Sequence, residues 1–524
     1  MKWNFFLRII FGILTFALLL LFLTKVVFEP WIGRKIQTAI NERNSDYILE
    51  IGKVHLSIWS SGFELENITI RTNPDRKGIG QLKGEVGSIR FEDIQLWKAI
   101  FKKDIVIRQV TIFNTSIKGQ IPFPEKERPP KVSTLNIRID SVFFDNTNAQ
   151  IGNTLTAQTF SIKDGVWKVY DLRVAKLDTL SAKIVHNFDL DALEFQIVSA
   201  DSMYLISAIG VNYSATSSIL AVENFSIHPN YDDIDFTSRH KFQSDRIEAG
   251  FMNISFHNFS ASEYFISNRI ASSYVEIGKI DLSAYRDLRK PFRHKRNSTF
   301  QERIYNCGAD IMIDSIGILN GNITYTEHAE KANEPGHISF NELKAKIYNL
   351  TNDTIFRTEE AFFRLNAEAL LMGKGKLNTL LKAKIFDNQN TFSLDGTLSE
   401  MEVKELNPIL EKNAFIYATS GKIDQMNFSF TANNTKAYGR LKLLYHNLDI
   451  AVKNKRTDDT TAIKERVISV IANMKVLDSN PVAGDKVRIG VIDYQRDSEK
   501  FLFNYCAKSI EAGIKSSLFR QSKR

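Results

Sequence analysis

Cysteine is scarce in this chain of 524 residues, which contains only Cys307 and Cys506. Two cysteines so far apart exclude a disulfide-dense scaffold, a CxxC redox pair and a cysteine-rich zinc site. Charge of one sign is also limited, because 68 Lys and Arg stand against 60 Asp and Glu and leave a net charge of +8. This excess suits an anionic membrane surface and is too small to predict a nucleic-acid partner.

Motifs that carry catalysis or bind nucleotides are also missing. The chain has no P-loop, GxSxG, HExxH or GxGxxG pattern, and its nine histidines are scattered without metal-ligand spacing. The sequence therefore predicts a protein that is not an enzyme, with no catalytic residue, metal site or cofactor.

One dense basic run lies within residues 286–296 and includes a proline, Pro291. Its cations are Arg286, Arg289, Lys290, Arg293, Lys295 and Arg296. The run is typical of a loop, either solvated or in contact with anionic lipid or a protein partner.

The N-terminal segment is the one long apolar run. Residues 5–28 are apolar apart from Arg8, Thr24 and Lys25, which is long enough to cross a bilayer core. No small-x-small site follows, so an uncleaved anchor over residues 1–28 is favoured over a signal peptide. Its apolar positions include Phe5, Leu14, Leu20 and Phe28.

Residues 29–44 predict a short juxtamembrane helix. Pro30 is well placed in its first turn, and Ile32, Ile36 and Ile40 lie on one helical face. Two interpretations stay open: the helix packs on the next domain, or it lies at the membrane with Arg34 and Lys35 near lipid headgroups.

The rest of the chain is dominated by the two-residue alternation of β-strands. Many strands shift phase once, as in Phe63, Leu65, Ile68 and Ile70, where apolar residues stand three apart at the centre. Ten segments fit this pattern: 63–70, 89–96, 105–112, 137–144, 220–227, 254–261, 275–282, 311–318, 338–345 and 443–450. A β-bulge at each shift would keep one face apolar and curve the sheet.

Asn114, Asn146 and Asn320 follow three of these segments, and asparagine tolerates the left-handed conformation, so we expect a turn at each. The fold class predicted is mainly β: a membrane helix, then an elongated, curved repeat sheet that forms a groove, with a few short helices. Those short helices are expected at 96–103, 399–406 and 462–474.

The C-terminus predicts an amphipathic helix from about residue 498 to 518. Leu502, Cys506, Ile510, Ile514 and Leu518 recur every four residues. Such a helix either caps a core or contacts a membrane or partner.

These features together resemble the AsmA-like family of bacterial envelope proteins. Residues 47–54, 56–59 and 65–68 resemble the opening repeat of that family, and residues 420–424 and 439–448, with Asn480-Pro481 beyond, resemble its C-terminal module. The resemblance covers about residues 1–115 and 400–515, whereas the middle matches in pattern only. It implies a single-pass protein of the bacterial inner membrane, largely periplasmic and related in architecture to bridge-like lipid transfer proteins.

The predicted organisation has four parts: the anchor, the juxtamembrane helix, a β-groove over 45–398 and a C-terminal module over 399–524. The expected function is to bind or conduct phospholipid or another membrane lipid along the groove, with inner-membrane attachment. Candidate lipid-facing residues are Ile107, Ile112, Ile139, Phe144, Ile313, Ile318, Phe428 and Phe430. The alternative is a structural or assembly factor for outer-membrane proteins, in which sheet edges pair with client strands.

Overall fold

The computed structural model describes residues 22–43, 46–57, 61–76, 78–95, 104–122, 136–174, 187–354, 362–452 and 476–519. The chain divides into two compact units, Met1–Val222 and Glu223–Arg524. Both are built on mixed β-sheet with few short helices, which confirms the mainly β prediction. The helices predicted at 96–103 and 462–474 lie outside the described residues.

The first unit contains a helix and a series of long strands. Helix α1 (Glu29–Arg43) follows a π-helical turn, Thr24–Phe28. The strands are β1 (Tyr47–Ser57), β2 (Gly62–Thr72), β3 (Gln81–Ile94), β4 (Asp104–Ile121), β5 (Asn136–Asn153), β6 (Thr159–Val174), β7 (Asn187–Val198) and β8 (Tyr204–Ser214). Each pairs with the next in antiparallel register, except that β4 and β5 run parallel. Strand β9 (Ile219–Pro229) spans the division between the units.

The second unit continues with strands of similar length. They are β10 (Asp245–His257), β11 (Arg269–Asp287), β12 (Asp310–Ile318), β13 (Gly321–His328), β14 (Gly336–Thr351), β15 (Phe362–Leu371), β16 (Gly375–Lys384), β17 (Phe392–Leu398), β18 (Met401–Glu402), β19 (Ile416–Ala432), β20 (Lys436–Val452) and β21 (Ile489–Gln495). Strands β12 and β13 lie end to end, both parallel to β11 and antiparallel to β14. The remaining strands pair antiparallel.

The helices of the second unit are short except for the last. They are α2 (Asp233–Ser238), α3 (Ala261–Ser267), α4 (Phe300–Tyr305), α5 (Asn407–Ile409) and α6 (Leu502–Leu518). A 3-10 turn, Val403–Leu406, precedes α5, and a π-helical turn, Leu410–Ala414, follows it, so the helix expected over 399–406 begins later than predicted. Helix α6 confirms the predicted C-terminal helix. The N-cap of α4 is a capping box, in which Thr299 and Glu302 satisfy each other's backbone N–H groups.

The phase shifts are present, but most are not β-bulges. In β2, Leu65 and Ile68 are both buried, at 5% and 1% exposure, although three residues separate them. Asn67, between them, has φ of 53°, and the left-handed conformation breaks the alternation at this point. The register with β1 and β3 is the same on both sides of Asn67, so no extra residue is inserted.

The register is preserved because neighbouring strands shift phase at the same place. Asn67 lies opposite Gly52 of β1, where an added Cβ would come within 2.9 Å of the Asn67 Cβ. The same arrangement recurs at Asn114 beside Gly87, and in the second unit at Asn253 beside Gly278. The bulge prediction is therefore wrong in these strands.

Two register shifts in the β5–β6 pair, on either side of Thr147, lie outside the predicted segments. Register shifts also occur between Asn341 and Lys344 in the β14–β15 pair and at three places in the β19–β20 pair. The bulge prediction is confirmed there. Segment 254–261 is not one strand, since β10 ends at His257 and Phe259 follows in a loop. Asn114 and Asn146 have φ of 51° and 54° as expected, yet both lie inside long strands, so the predicted turns are wrong at these two positions.

Helix α1 lies along the outer edge of β1. Three side chains of α1 bond to the backbone of that edge: Leu49 N–H donates to Asn41 Oδ1 (2.8 Å), Ile51 N–H to Gln37 Oε1 (3.1 Å) and Leu56 N–H to Glu29 Oε1 (2.9 Å). Ile32 and Ile36 pack on the cluster around Val54, Leu65, Ile68 and Val86. The helix therefore packs on the next domain, and its polar side chains bond to backbone groups that an edge strand leaves unpaired.

Replacing Asn67 tests the left-handed phase shift. We expect Asn67→Val to lower the free energy of unfolding by about 1–2 kcal/mol more than Asn67→Gly does, because a β-branched residue is strained at positive φ and glycine is not. Thermal melting of the two variants followed by circular dichroism measures the difference. Equal melting temperatures would contradict the assignment.

Candidate functional site

Four of the predicted lipid-facing residues come together in the first unit. Ile107 and Ile112 of β4 lie in register beside Ile139 and Phe144 of β5, because the two strands run parallel. All four belong to a cluster centred on Ile107, Val110 and Val142. The remaining members are Ile89, Phe91, Ile94, Ile105, Val169 and Leu172.

Every member of this cluster lies on a strand, from β3 to β6. Most side chains of this apolar face are half-buried rather than fully covered by the residues that the structure describes. A half-covered apolar face of this extent is a candidate surface for an apolar ligand.

Three hydrogen-bonding groups on this part of the sheet are buried without a partner among the described residues. They are the hydroxyls of Thr115 and Thr147 and the indole N–H of Trp167. Thr115 lies opposite Thr147, and Trp167 lies opposite Phe144, so the three groups sit on neighbouring strands. Buried polar groups are nearly always bonded, so three unpaired groups on adjoining strands are unusual.

These groups were missed in the sequence. Thr115 is only 7% exposed and comes just after the left-handed Asn114, at a position where the strand pattern calls for an apolar residue. A threonine in such a position is the signal that was available, but threonine is also a common strand residue.

Ile313 and Ile318 lie apart from this cluster, on β12 in the second unit. Ile313 is buried beside Ser272 and Leu350 of the adjoining strands. Ile318 is half-buried beside Ile277 and Ala345. They therefore belong to a separate stretch of sheet.

Phe428 and Phe430 lie in a two-layered core. Both are buried in a cluster that includes Tyr505 of α6, and the Phe392 ring contacts both Phe430 and Tyr505 at centroid separations of 6.4 and 5.9 Å. Residues of α4 and of the turn before α5 pack on the same cluster. Protein side chains therefore cover this face, and the proposed lipid-facing set is narrowed to the other six residues.

Helix α6 approaches the sheet by a stripe of mostly small residues. Tyr505, Ser509, Gly513 and Ser517 are its buried positions. An added Cβ on Gly513 would lie 2.8 Å from Leu441, so only glycine permits this contact. The predicted apolar row, Leu502, Cys506, Ile510, Ile514 and Leu518, packs beside the stripe and is partly buried. Capping of a core is thus confirmed for this helix.

Asn480 forms hydrogen bonds with the segment that leads to β21. Its buried side chain donates to the Arg488 carbonyl oxygen (3.0 Å) and accepts from the Arg488 N–H (2.9 Å). Arg488 in turn donates to the Tyr445 hydroxyl (3.2 Å). These contacts connect Asn480, Arg488 and Tyr445, which lie in the predicted C-terminal module.

The predicted anchor lies mostly outside the described residues, including Phe5, Leu14 and Leu20. Phe28 ends the π-helical turn and is 51% exposed. None of the helices in the described ranges is sufficiently long and apolar to span a membrane.

In the described part of the chain, no three His, Cys, Asp or Glu side chains are grouped so that they could hold a metal ion. Comparison with known proteins adds no assignment: no protein-family model matches the chain, and no curated protein matches its sequence.

Thiol labelling tests whether α6 is docked. Cys506 packs against the core, and burial raises its pKa to about 12, whereas Cys307 is exposed. We expect maleimide at neutral pH to label one thiol per chain, Cys307, until the protein is denatured, because the thiolate is the reactive form.

The control is Cys307→Ser, which should label only after denaturation. Rapid labelling of Cys506 in the native chain, identified by peptide mass spectrometry, would contradict the docked position of the helix.

Proposed function

We propose that this protein is a non-enzymatic envelope protein that binds or conducts phospholipid, or another membrane lipid, along the apolar face of its β-sheet. In this proposal residues 1–28 anchor it in the bacterial inner membrane, and the bulk of the chain lies in the periplasm. The resemblance to the AsmA-like family supports both the location and the elongated, groove-like shape.

The observation that carries the proposal is the contrast between two apolar faces. The cluster around Phe428 is covered by α6, as expected for an ordinary core. Among the residues that the structure describes, the cluster around Ile107 contains strand residues alone. Leaving apolar surface in water is unfavourable by roughly 25 cal/mol for each Å², and acyl chains are a suitable cover for such a face.

The buried polar groups support a lipid with oxygen atoms near its acyl chains. Thr115, Thr147 and Trp167 supply two hydroxyls and one N–H beside the apolar cluster. The ester carbonyl oxygens of a phospholipid are acceptors directly attached to apolar chains. One such lipid would cover the apolar side chains and accept hydrogen bonds from the three polar groups. Each unpaired buried group costs about 1–3 kcal/mol, so these bonds would stabilise the bound lipid.

The alternative, assembly of outer-membrane proteins by strand addition, needs a free sheet edge. At β1 that edge is occupied, since Asn41, Gln37 and Glu29 bond to its backbone. The arrangement counts against client binding at β1.

Photocrosslinking distinguishes the two functions. We expect p-benzoylphenylalanine in place of Ile112 or Phe144 to form adducts with lipid in cells, because both side chains belong to the apolar cluster. The matched controls are Lys118 and Gln150, exposed residues of the same two strands, which should give no lipid adduct.

Mass spectrometry of the crosslinked chain gives the mass of each adduct. Adducts with barrel proteins at Ile112 or Phe144 would favour the assembly function. Lipid adducts of equal yield at all four positions would show that the apolar face has no special role, and would contradict the proposal.

A further inference from the structure

Almost all the excess positive charge of the chain is concentrated in two short segments. Residues 239–243 and 286–299 contain eight Lys and Arg and one Asp, a net charge of +7, whereas the whole chain carries +8. The other residues are therefore close to electrically neutral in sum. Such a concentration gives one part of the second unit a strong positive field.

The fold brings these two segments together. Gln243 N–H donates to the Pro291 carbonyl oxygen (3.0 Å), and its side-chain amide donates to the carbonyl oxygens of Leu288 (3.3 Å) and Lys290 (3.0 Å). The cations of both segments consequently lie on one part of the surface. We call residues 239–243 and 286–299 the basic patch.

A third segment, residues 498–500 before α6, also contacts the basic patch. Asn297 N–H donates to the Ser498 carbonyl oxygen (2.8 Å), and His294 Nδ1 lies 3.1 Å from a Glu499 carboxylate oxygen. The Lys500 Nζ lies 3.6 Å from the centre of the Phe292 ring. The patch is thus an ordered loop fixed by contacts on two sides.

Three of its eight cations are already neutralised by carboxylates, and a fourth, Arg239, lies 3.7 Å from the centre of the Tyr231 ring. Arg286 pairs with Asp245 (2.6 Å), Arg289 with Asp287 (2.8 Å) and Arg296 with Glu302 (2.5 Å). By contrast, Lys241, Lys290, Arg293 and Lys295 make no ion pair with any residue that the structure describes. Lys241, Arg293 and Lys295 are also exposed. These four cations are the ones available to an external anion.

We propose that the basic patch docks the second unit on the surface of an anionic phospholipid membrane. A membrane surface presents many phosphates without fixed spacing, so a compact group of free cations is sufficient to bind it. This contact is distinct from the lipid-binding face of the first unit and does not depend on it.

A nucleic acid is a weaker match to the same charges. Non-specific binding of single strands relies on free aromatic faces that stack on bases. The two rings of the patch are engaged by cations: Phe292 by Lys500, and Phe242 by Lys241 and Arg293 at 5.5 and 6.0 Å. The structure therefore favours the membrane.

The test uses the full chain, held by its N-terminal segment in a nanodisc of phosphatidylcholine. Capture of a second set of vesicles is measured, made of phosphatidylcholine alone or with phosphatidylglycerol. We expect capture of the phosphatidylglycerol vesicles only, weakened by high salt because the interaction is electrostatic.

The variant Lys241→Gln, Lys290→Gln, Arg293→Gln, Lys295→Gln removes the four free cations. Each charge near an anionic surface contributes about five-fold to binding, so we expect at least a hundred-fold loss of affinity. The matched control is Lys344→Gln, Lys346→Gln, Lys374→Gln, Lys382→Gln, which removes four exposed cations elsewhere in the second unit. Melting temperatures of both variants confirm that they fold.

Equal losses in the two variants would overturn the proposal, and so would capture of phosphatidylcholine vesicles to the same extent. Tighter binding of the wild-type chain to a single-stranded DNA oligonucleotide than to phosphatidylglycerol vesicles, lost in the patch variant, would reassign the patch to nucleic acid. None of these results bears on whether lipid binds the apolar cluster of the first unit.

Discussion

The structure depends on keeping apolar residues on one face of long strands whose sequences do not alternate evenly. A shift in a single strand would turn half of its apolar residues to the opposite face. In strands such as β1 to β3 the molecule avoids this because adjoining strands shift at the same level, whereas β14–β15 and β19–β20 use register shifts. A left-handed asparagine facing a glycine, as at Asn67 and Gly52, makes the shift sterically possible.

The two units use this apolar face differently. In the second unit α6 and α4 lie on it and complete a two-layered core around Phe392 and Phe430. In the first unit α1 packs Ile32 and Ile36 on the cluster around Val54, whereas the described members of the adjoining cluster around Ile107 all lie on strands. The same strand pattern thus forms a closed core in one case and a candidate binding face in the other.

Much of the fold follows from the sequence, because alternation and helical spacing are local properties. Most of the strands, several of the shifts and the terminal helix were predictable, whereas Asn114 and Asn146 were expected in turns and lie inside strands. The mechanism of the shifts was not, since a bulge and a matched shift give one strand the same pattern. Only the neighbouring strand, with Gly52 opposite Asn67, distinguishes them.

The candidate site was only partly predictable for a related reason. The parallel pairing of β4 and β5 brings Ile107 beside Ile139, but no local signal gives this register. Phe428 has the same alternation as Ile139, yet α6 covers it through small residues such as Gly513 that no apolar pattern marks. Whether an apolar face is covered depends on tertiary packing, which the strand sequence does not contain.

The central claim is that the chain carries lipid, and native mass spectrometry tests it most directly. The full-length protein would be purified in mild detergent, and lipids would be extracted from the same sample and identified. The account predicts phospholipid bound in stoichiometric or greater amounts, retained when detergent is removed in the gas phase. A chain that is consistently free of lipid would contradict it and would mean that the face around Ile107 is filled by the protein itself.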